Sequence, residues 1–222
     1  MHATPQNKPA KKSLRPVDAA TMVLWRRRAN GTIEVLMGRR HRNHVFMPHA
    51  YVFPGGRVDR IDAALEPASP LADDVHTRLQ RAANPTRARA IAAAAVRETY
   101  EETGLLLGDS DPDAPGGFRP ALEGMDYFFR AITPPGRPRR FDARFLVANG
   151  EAATGEIGTG DGELLDVEFR SLEDSRNLDI AGITRIALAE FERWVTDPKA
   201  PDPNRPVPLS RFLRGRYYIA PE

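Results

Sequence analysis

The 222-residue chain contains no cysteine. That excludes disulfides, thiol catalysis, iron–sulfur clusters and cysteine-ligated zinc, so a metal must be held by oxygen or histidine. Lysine is scarce as well: Lys8, Lys11, Lys12 and Lys199 stand beside 28 arginines. Arginine's planar fork suits phosphate, although genome composition alone produces the same bias. The formal charge is only +2, with acids interspersed among the bases, and this is not the basic stripe of a nucleic-acid binder. No run approaches the roughly 18 consecutive apolar residues of a membrane-spanning helix. Met1 to Pro16 is polar and basic without an apolar signal region. These absences predict a soluble, cytoplasmic protein with a disordered basic tail over 1–16 and a single domain over 17–222. The sequence leaves homodimerisation open.

Hydrophobic patterning supplies the elements. Asp18 to Trp25 and Thr32 to Gly38 are apolar runs around a polar, glycine-containing turn and read as a hairpin. Tyr51 to Phe53 is a short strand stopped at Pro54-Gly55-Gly56, where glycine permits a tight turn and close approach of backbone to a ligand. From Arg60 to Ala83 the period is lost, with a short helix expected over Asp73 to Ala82. Asn84-Pro85 then carries a cap-plus-proline helix start, followed by the alanine-rich Arg87 to Thr103 and a stop at Gly104. Ile91, Ala92, Ala95, Val96 and Thr99 are expected to face the core. Further strands are expected over Leu105 to Leu107, Arg139 to Ala148 and Leu164 to Phe169. Helices are expected over Ala121 to Ala131 and Ile183 to Val195, and a mobile glycine-rich loop over Asn149 to Gly162. Strands in hairpins with helices between them predict a mixed sheet covered on both faces.

Glu98, Glu101 and Glu102 put three carboxylates within five residues near the end of the alanine-rich helix. Residues three and four apart on a helix are neighbours, so the acids crowd one side, at a cost of roughly 0.2–0.5 kcal/mol per like-charged pair. Hard oxygen ligands of this kind suit Mg²⁺ or Mn²⁺. The histidines His41, His44 and His49 cluster as well, but read as loop histidines or substrate contacts before zinc ligands.

The run Arg97-Glu98-Thr99-Tyr100-Glu101-Glu102-Thr103-Gly104-Leu105 resembles the second half of the Nudix box, G-x5-E-x7-R-E-U-x-E-E-x-G-U, with Thr99 standing at the aliphatic position. Tyr51 to Asp59, with its Gly55-Gly56 turn, is similar to the strand and turn that open the box. Arg97 lies 41 positions after Gly56 where the motif allows 14, so about 27 residues are inserted and the box is split. This arrangement resembles the bacterial relatives of the peroxisomal and mitochondrial coenzyme A diphosphatases. The first motif glutamate would fall at Asp62 counted forward, or at Arg89 counted back. Neither is a glutamate, and no role carries over to that position.

The resemblance implies an α/β fold, a Nudix-type α/β/α sandwich with a mixed β-sheet and an insertion inside the Nudix box at about 60–84. It implies a Mg²⁺- or Mn²⁺-dependent pyrophosphohydrolase acting on a small-molecule nucleotide substrate. Glu98, Glu101 and Glu102 would be the metal ligands, with the Gly55 or Gly56 backbone completing the shell, while Arg97 would pair with an acid and fix the loop against the helix. Glu163, just before a strand, is the preferred general base among Glu151, Glu156, Asp161 and Glu163. Arg39 and Arg40, with Phe53 and Gly55, are the candidate substrate contacts, and Arg137, Arg139 and Arg140 form a second basic group. The missing first glutamate and the split box also fit a non-catalytic nucleotide-sensing or protein-interaction domain of the same fold.

Overall fold

The computed structural model describes residues 14–42, 48–158, 160–197, 199 and 202–222. Most of the expected tail, and His44, lie outside the described residues. Along the chain run β1 (Val17–Arg27), β2 (Ile33–Arg40), β3 (Tyr51–Val52), β4 (Gly55–Arg57), α1 (Asp73–Leu79), α2 (Pro85–Thr103), β5 (Gly108–Ser110) and β6 (Phe118–Pro120). There follow β7 (Asp126–Ile132), β8 (Phe141–Asn149), β9 (Leu164–Ser171), α3 (Leu172–Asn177), α4 (Gly182–Thr196), β10 (Pro208–Leu213) and β11 (Arg216–Pro221). Nine of these strands form one sheet, ordered β11-β10-β7-β8-β1-β2-β3, with β4 also paired to β1 and β9 to β2. The β1–β8 and β7–β10 pairs are parallel and the others antiparallel, so the sheet is mixed.

Alternation along β1 divides the core. Ala20, Met22 and Leu24 point to the face covered by α2, whereas Val23 points to the face covered by Phe191 and Trp194 of α4. The expected sheet with helices on both faces is therefore observed. Helix α2 forms as its sequence predicts: the Asn84 side chain accepts from the Arg87 amide, Pro85 opens the first turn and Gly104 closes the helix at φ 79°. Its alanines let it lie close to its neighbours. Ala88 and every residue from Ala90 to Arg97 are buried, a wider buried face than the five positions expected from periodicity.

Four expectations fail. Leu105 to Leu107 is a buried link with a single bridge from Leu106 to Thr154, and the strand begins only at Gly108. The segment 121–131, expected as a helix, contains β7. This strand sits inside the sheet with Asp126 through Ala131 buried, so its apolar run lacks the two-residue alternation that marks a strand. Gly55-Gly56-Arg57, expected as turn, pairs with β1 as a strand. The stretch 149–162, expected to be loose, packs on the C-terminal end of α2, where the Gly158 amide donates to the Thr103 carbonyl (2.9 Å) and the Asp161 amide to that of Glu101 (2.8 Å). Gly160, at φ 50°, permits this: a Cβ there would stand 2.3 Å from the Glu101 carbonyl oxygen.

Candidate active site

The edge of β1 is shared. Strand β2 pairs with its end at Trp25–Arg27, and β4 pairs with Ala19–Thr21. Where β2 diverges, the Gly-Gly segment fits in and faces the last turns of α2. The Gly55 amide donates to Glu102 Oε2 at 2.9 Å. A Cβ on Gly56 would stand 2.5 Å from the Glu98 carboxylate, so glycine is needed there for the acid to reach the strand. Residues 42 to 47 positions apart in sequence thus make one constellation.

Glu102, expected to crowd one side of the helix with Glu98 and Glu101, is buried at 2% exposure. Burial raises its pKa well above the ordinary carboxylate range; the Gly55 amide and Arg40 oppose the shift, and the charges of Glu98 and Glu163 reinforce it. Burial likewise pushes Glu98 up to about 7, against the pull of Arg97. Two desolvated, mutually repelling carboxylates beside a backbone strand are a donor set that fits a hard divalent cation. Glu101 stands apart, half-exposed and ion-paired with Arg97 at 2.7 Å. Among the described residues no three Asp, Glu or His side chains converge as a metal-holding group.

Arg97 organises the site. Its Nε and Nη2 donate to Asp62 at 2.7 and 3.2 Å, Nη2 also to the Arg57 carbonyl at 3.0 Å, and Nη1 to Glu101 at 2.7 Å. It also pairs with Glu98 at 2.9 Å. Burial opposes its charge, but the Asp62 hydrogen bonds and the surrounding acids outweigh that and raise its pKa. Asp62, which received no role from sequence, is fully buried and also accepts from the Asp59 amide at 2.7 Å. Its one signal was the count forward from Gly56. The 60–84 segment, where the sequence loses its period, sends Leu65, Val75 and Leu79 into the core with α2.

The remaining candidates lie around this centre. Glu163 is exposed, its carbonyl accepts from the His41 amide at 3.0 Å, and its charge is felt at Glu102. Arg39 is held by Asp166 at 2.7 Å. Arg40, Phe53, Gly55 and Gly56 line a cavity of about 760 Å³ on the α4 face of the sheet. Its walls include Ala19, Thr21, Phe141, Ala143 and Phe145 from β1 and β8, the start of α4, and the loop that carries Arg137 and Arg139. Gly55 and Gly56 thus line the cavity and also contact Glu102 and Glu98, which are not themselves part of its wall; the cavity is an apolar chamber with cations at its margin.

No family model matches the sequence. No curated protein matches it either. Among solved structures, a Nudix hydrolase from Alicyclobacillus acidocaldarius superimposes with a TM-score of 0.58 at 27% identity, covering 79% of this chain and 90% of that one. The Nudix domain of Shewanella oneidensis NrtR, solved with ADP-ribose, is more distant, with a TM-score of 0.48 and 13% identity over 86% of this chain and 95% of that one. The chain has a mixed α/β Nudix-like fold, and its structural neighbours are Nudix hydrolases. No described helix is long and apolar enough to cross a membrane.

Proposed function

We propose that the protein is a divalent-metal-dependent pyrophosphohydrolase that cleaves a nucleoside diphosphate linked to another moiety. Coenzyme A or an acyl derivative is the first substrate to test, followed by ADP-ribose, NADH and dinucleoside polyphosphates. The observation that carries this reading is the pair of carboxylates, buried Glu102 and half-buried Glu98, facing the Gly55-Gly56 strand, whose glycines also line the cavity. Glu98 and Glu102, with Glu101 and the Gly56 backbone, would hold Mg²⁺ or Mn²⁺. Such an ion, when bound, neutralises diphosphate oxygens and acidifies water.

The chain's own groups do the rest. Arg97 binds no ion but ties α2 to the 57–62 segment through Asp62 and the Arg57 carbonyl, holding acids and strand in register. Arg40 grips phosphate oxygens beside Glu102. Glu163 takes the proton of the attacking water from the solvent side. The segment at about 60–84 is an insertion in a split Nudix box, with Asp62 standing where a glutamate is usual. A mass-spectrometric screen of diphosphate-linked nucleotides with Mg²⁺ or Mn²⁺, run beside Glu102→Gln, tests the reading. Turnover by the wild type and a drop of about a hundredfold or more in the variant support it, and equal turnover by both rules out the role given to Glu102.

A further inference from the structure

The cavity has a second cationic end. The hairpin connection between β7 and β8 carries Pro134, Pro135 and Pro138, whose rings restrict the backbone, and it presents Arg137 and Arg139 to the cavity. Nearby arginines are spoken for: Arg130 by Asp142, Arg144 by Asp18, and Arg140 by the Thr133 carbonyl. Among the described residues Arg137 and Arg139 have no acid partner, so their charges are left to solvent or ligand.

Position across the sheet separates this end from the acids. Arg57, Ala19, Ala143 and Ala131 are register partners along β4, β1, β8 and β7. Three strand spacings amount to roughly 14 Å. The wall between is apolar, made by Ala19, Ala143, Phe141, Phe145 and Ile183. A diphosphate held at Gly55-Gly56 would leave its organic arm on this wall, with the arm's far part within reach of the two guanidinium groups.

The geometry points to Arg137 and Arg139 as a specificity site for a second phosphate: the substrate is a diphosphate whose nucleoside arm carries a phosphate monoester remote from the bond that is cleaved. This rests on the diphosphate reading of the site above. Planar guanidinium groups match a phosphate monoester through two parallel hydrogen bonds, and the apolar wall accepts the base and sugar between.

Two matched pairs differ by one such phosphate: coenzyme A against its 3′-dephospho form, and NADPH against NADH. Binding of each to the full-length protein is measured by calorimetry, and KM is measured with Mg²⁺. For one pair or both, the phosphate-bearing member is expected to bind about tenfold more tightly, the size of one charge-assisted hydrogen bond. In Arg137→Ala/Arg139→Ala that ratio falls to about one, while Arg137→Lys/Arg139→Lys keeps part of it. A ratio near one for both pairs in the wild type, or a ratio that survives the double alanine change, overturns the inference. Binding selectivity without hydrolysis would instead refute the pyrophosphohydrolase reading and leave this site standing, whereas hydrolysis without selectivity would do the reverse.

Discussion

Glu98 makes the metal-free protein less stable as pH rises through neutrality. Its pKa is about 7 in the fold against an ordinary 4.5, so the folded state holds the proton more tightly than the unfolded chain. At about 1.4 kcal/mol per unit this is worth about 3 kcal/mol below pH 4.5. The contribution is fully present below the unfolded value and is lost as pH climbs past the folded one. About 2.5 kcal/mol of it disappears between pH 5 and pH 8. Glu102, shifted the same way, adds to the slope. Asp18 and Glu34 are shifted downward by their arginine partners and act only below the usual carboxylate range, outside this window. Urea unfolding followed by circular dichroism, with chelator present, at the two pH values reads the difference directly. Glu98→Gln cannot ionise and is expected to flatten the dependence by that amount. Saturating Mg²⁺ at pH 8, at a hundred times its dissociation constant, is expected to restore about 2.7 kcal/mol to the wild type. If Glu98→Gln and wild type lose stability in parallel from pH 5 to pH 8, the burial argument for Glu98 is wrong.

Three other changes probe separate links. Asp62→Asn removes the charge opposite buried Arg97 and should cost about 3 kcal/mol, the low end for breaking a buried pair because Glu98 and Glu101 remain; a change below 1 kcal/mol in thermal or urea unfolding would show that Asp62 does not lock the helix. Gly56→Ala drives a methyl group into the Glu98 carboxylate, so it should cut kcat by at least about tenfold, and unchanged turnover with Mg²⁺ would contradict the closeness of strand and acid. Glu102→Gln keeps the oxygen that accepts from Gly55 but not the charge, so it should retain stability at pH 8 and lose about a hundredfold or more in turnover; lowered stability with unchanged turnover would reverse its assignment.

The chain on its own determined a good deal. Apolar runs around a polar turn marked the β1–β2 hairpin, the strand pattern marked β8 and β9, and cap, proline and glycine punctuation bounded α2, because these signals act within a few residues of sequence. Residue spacing brought Glu98, Glu101 and Glu102 together on one helix, and Gly55-Gly56 was singled out as a close backbone approach. What failed depended on neighbours remote in sequence. Strand β7 carries no alternation because α1 and α4 cover its two faces, and the 149–162 loop packs because the open end of α2 offers carbonyls to its amides.

Only the tertiary structure divided the three acids, burying Glu102 against Gly55 and turning Glu101 to Arg97, because a helix fixes which residues are neighbours but not which of them meets another strand. It also gave Asp62 its place: a buried acid needs a cation, and the one it found lies 35 positions away. The cavity and its two arginine-bearing ends belong to the sheet alone, since register between strands aligns Ala19, Ala143 and Ala131 and no local pattern encodes register across three strands.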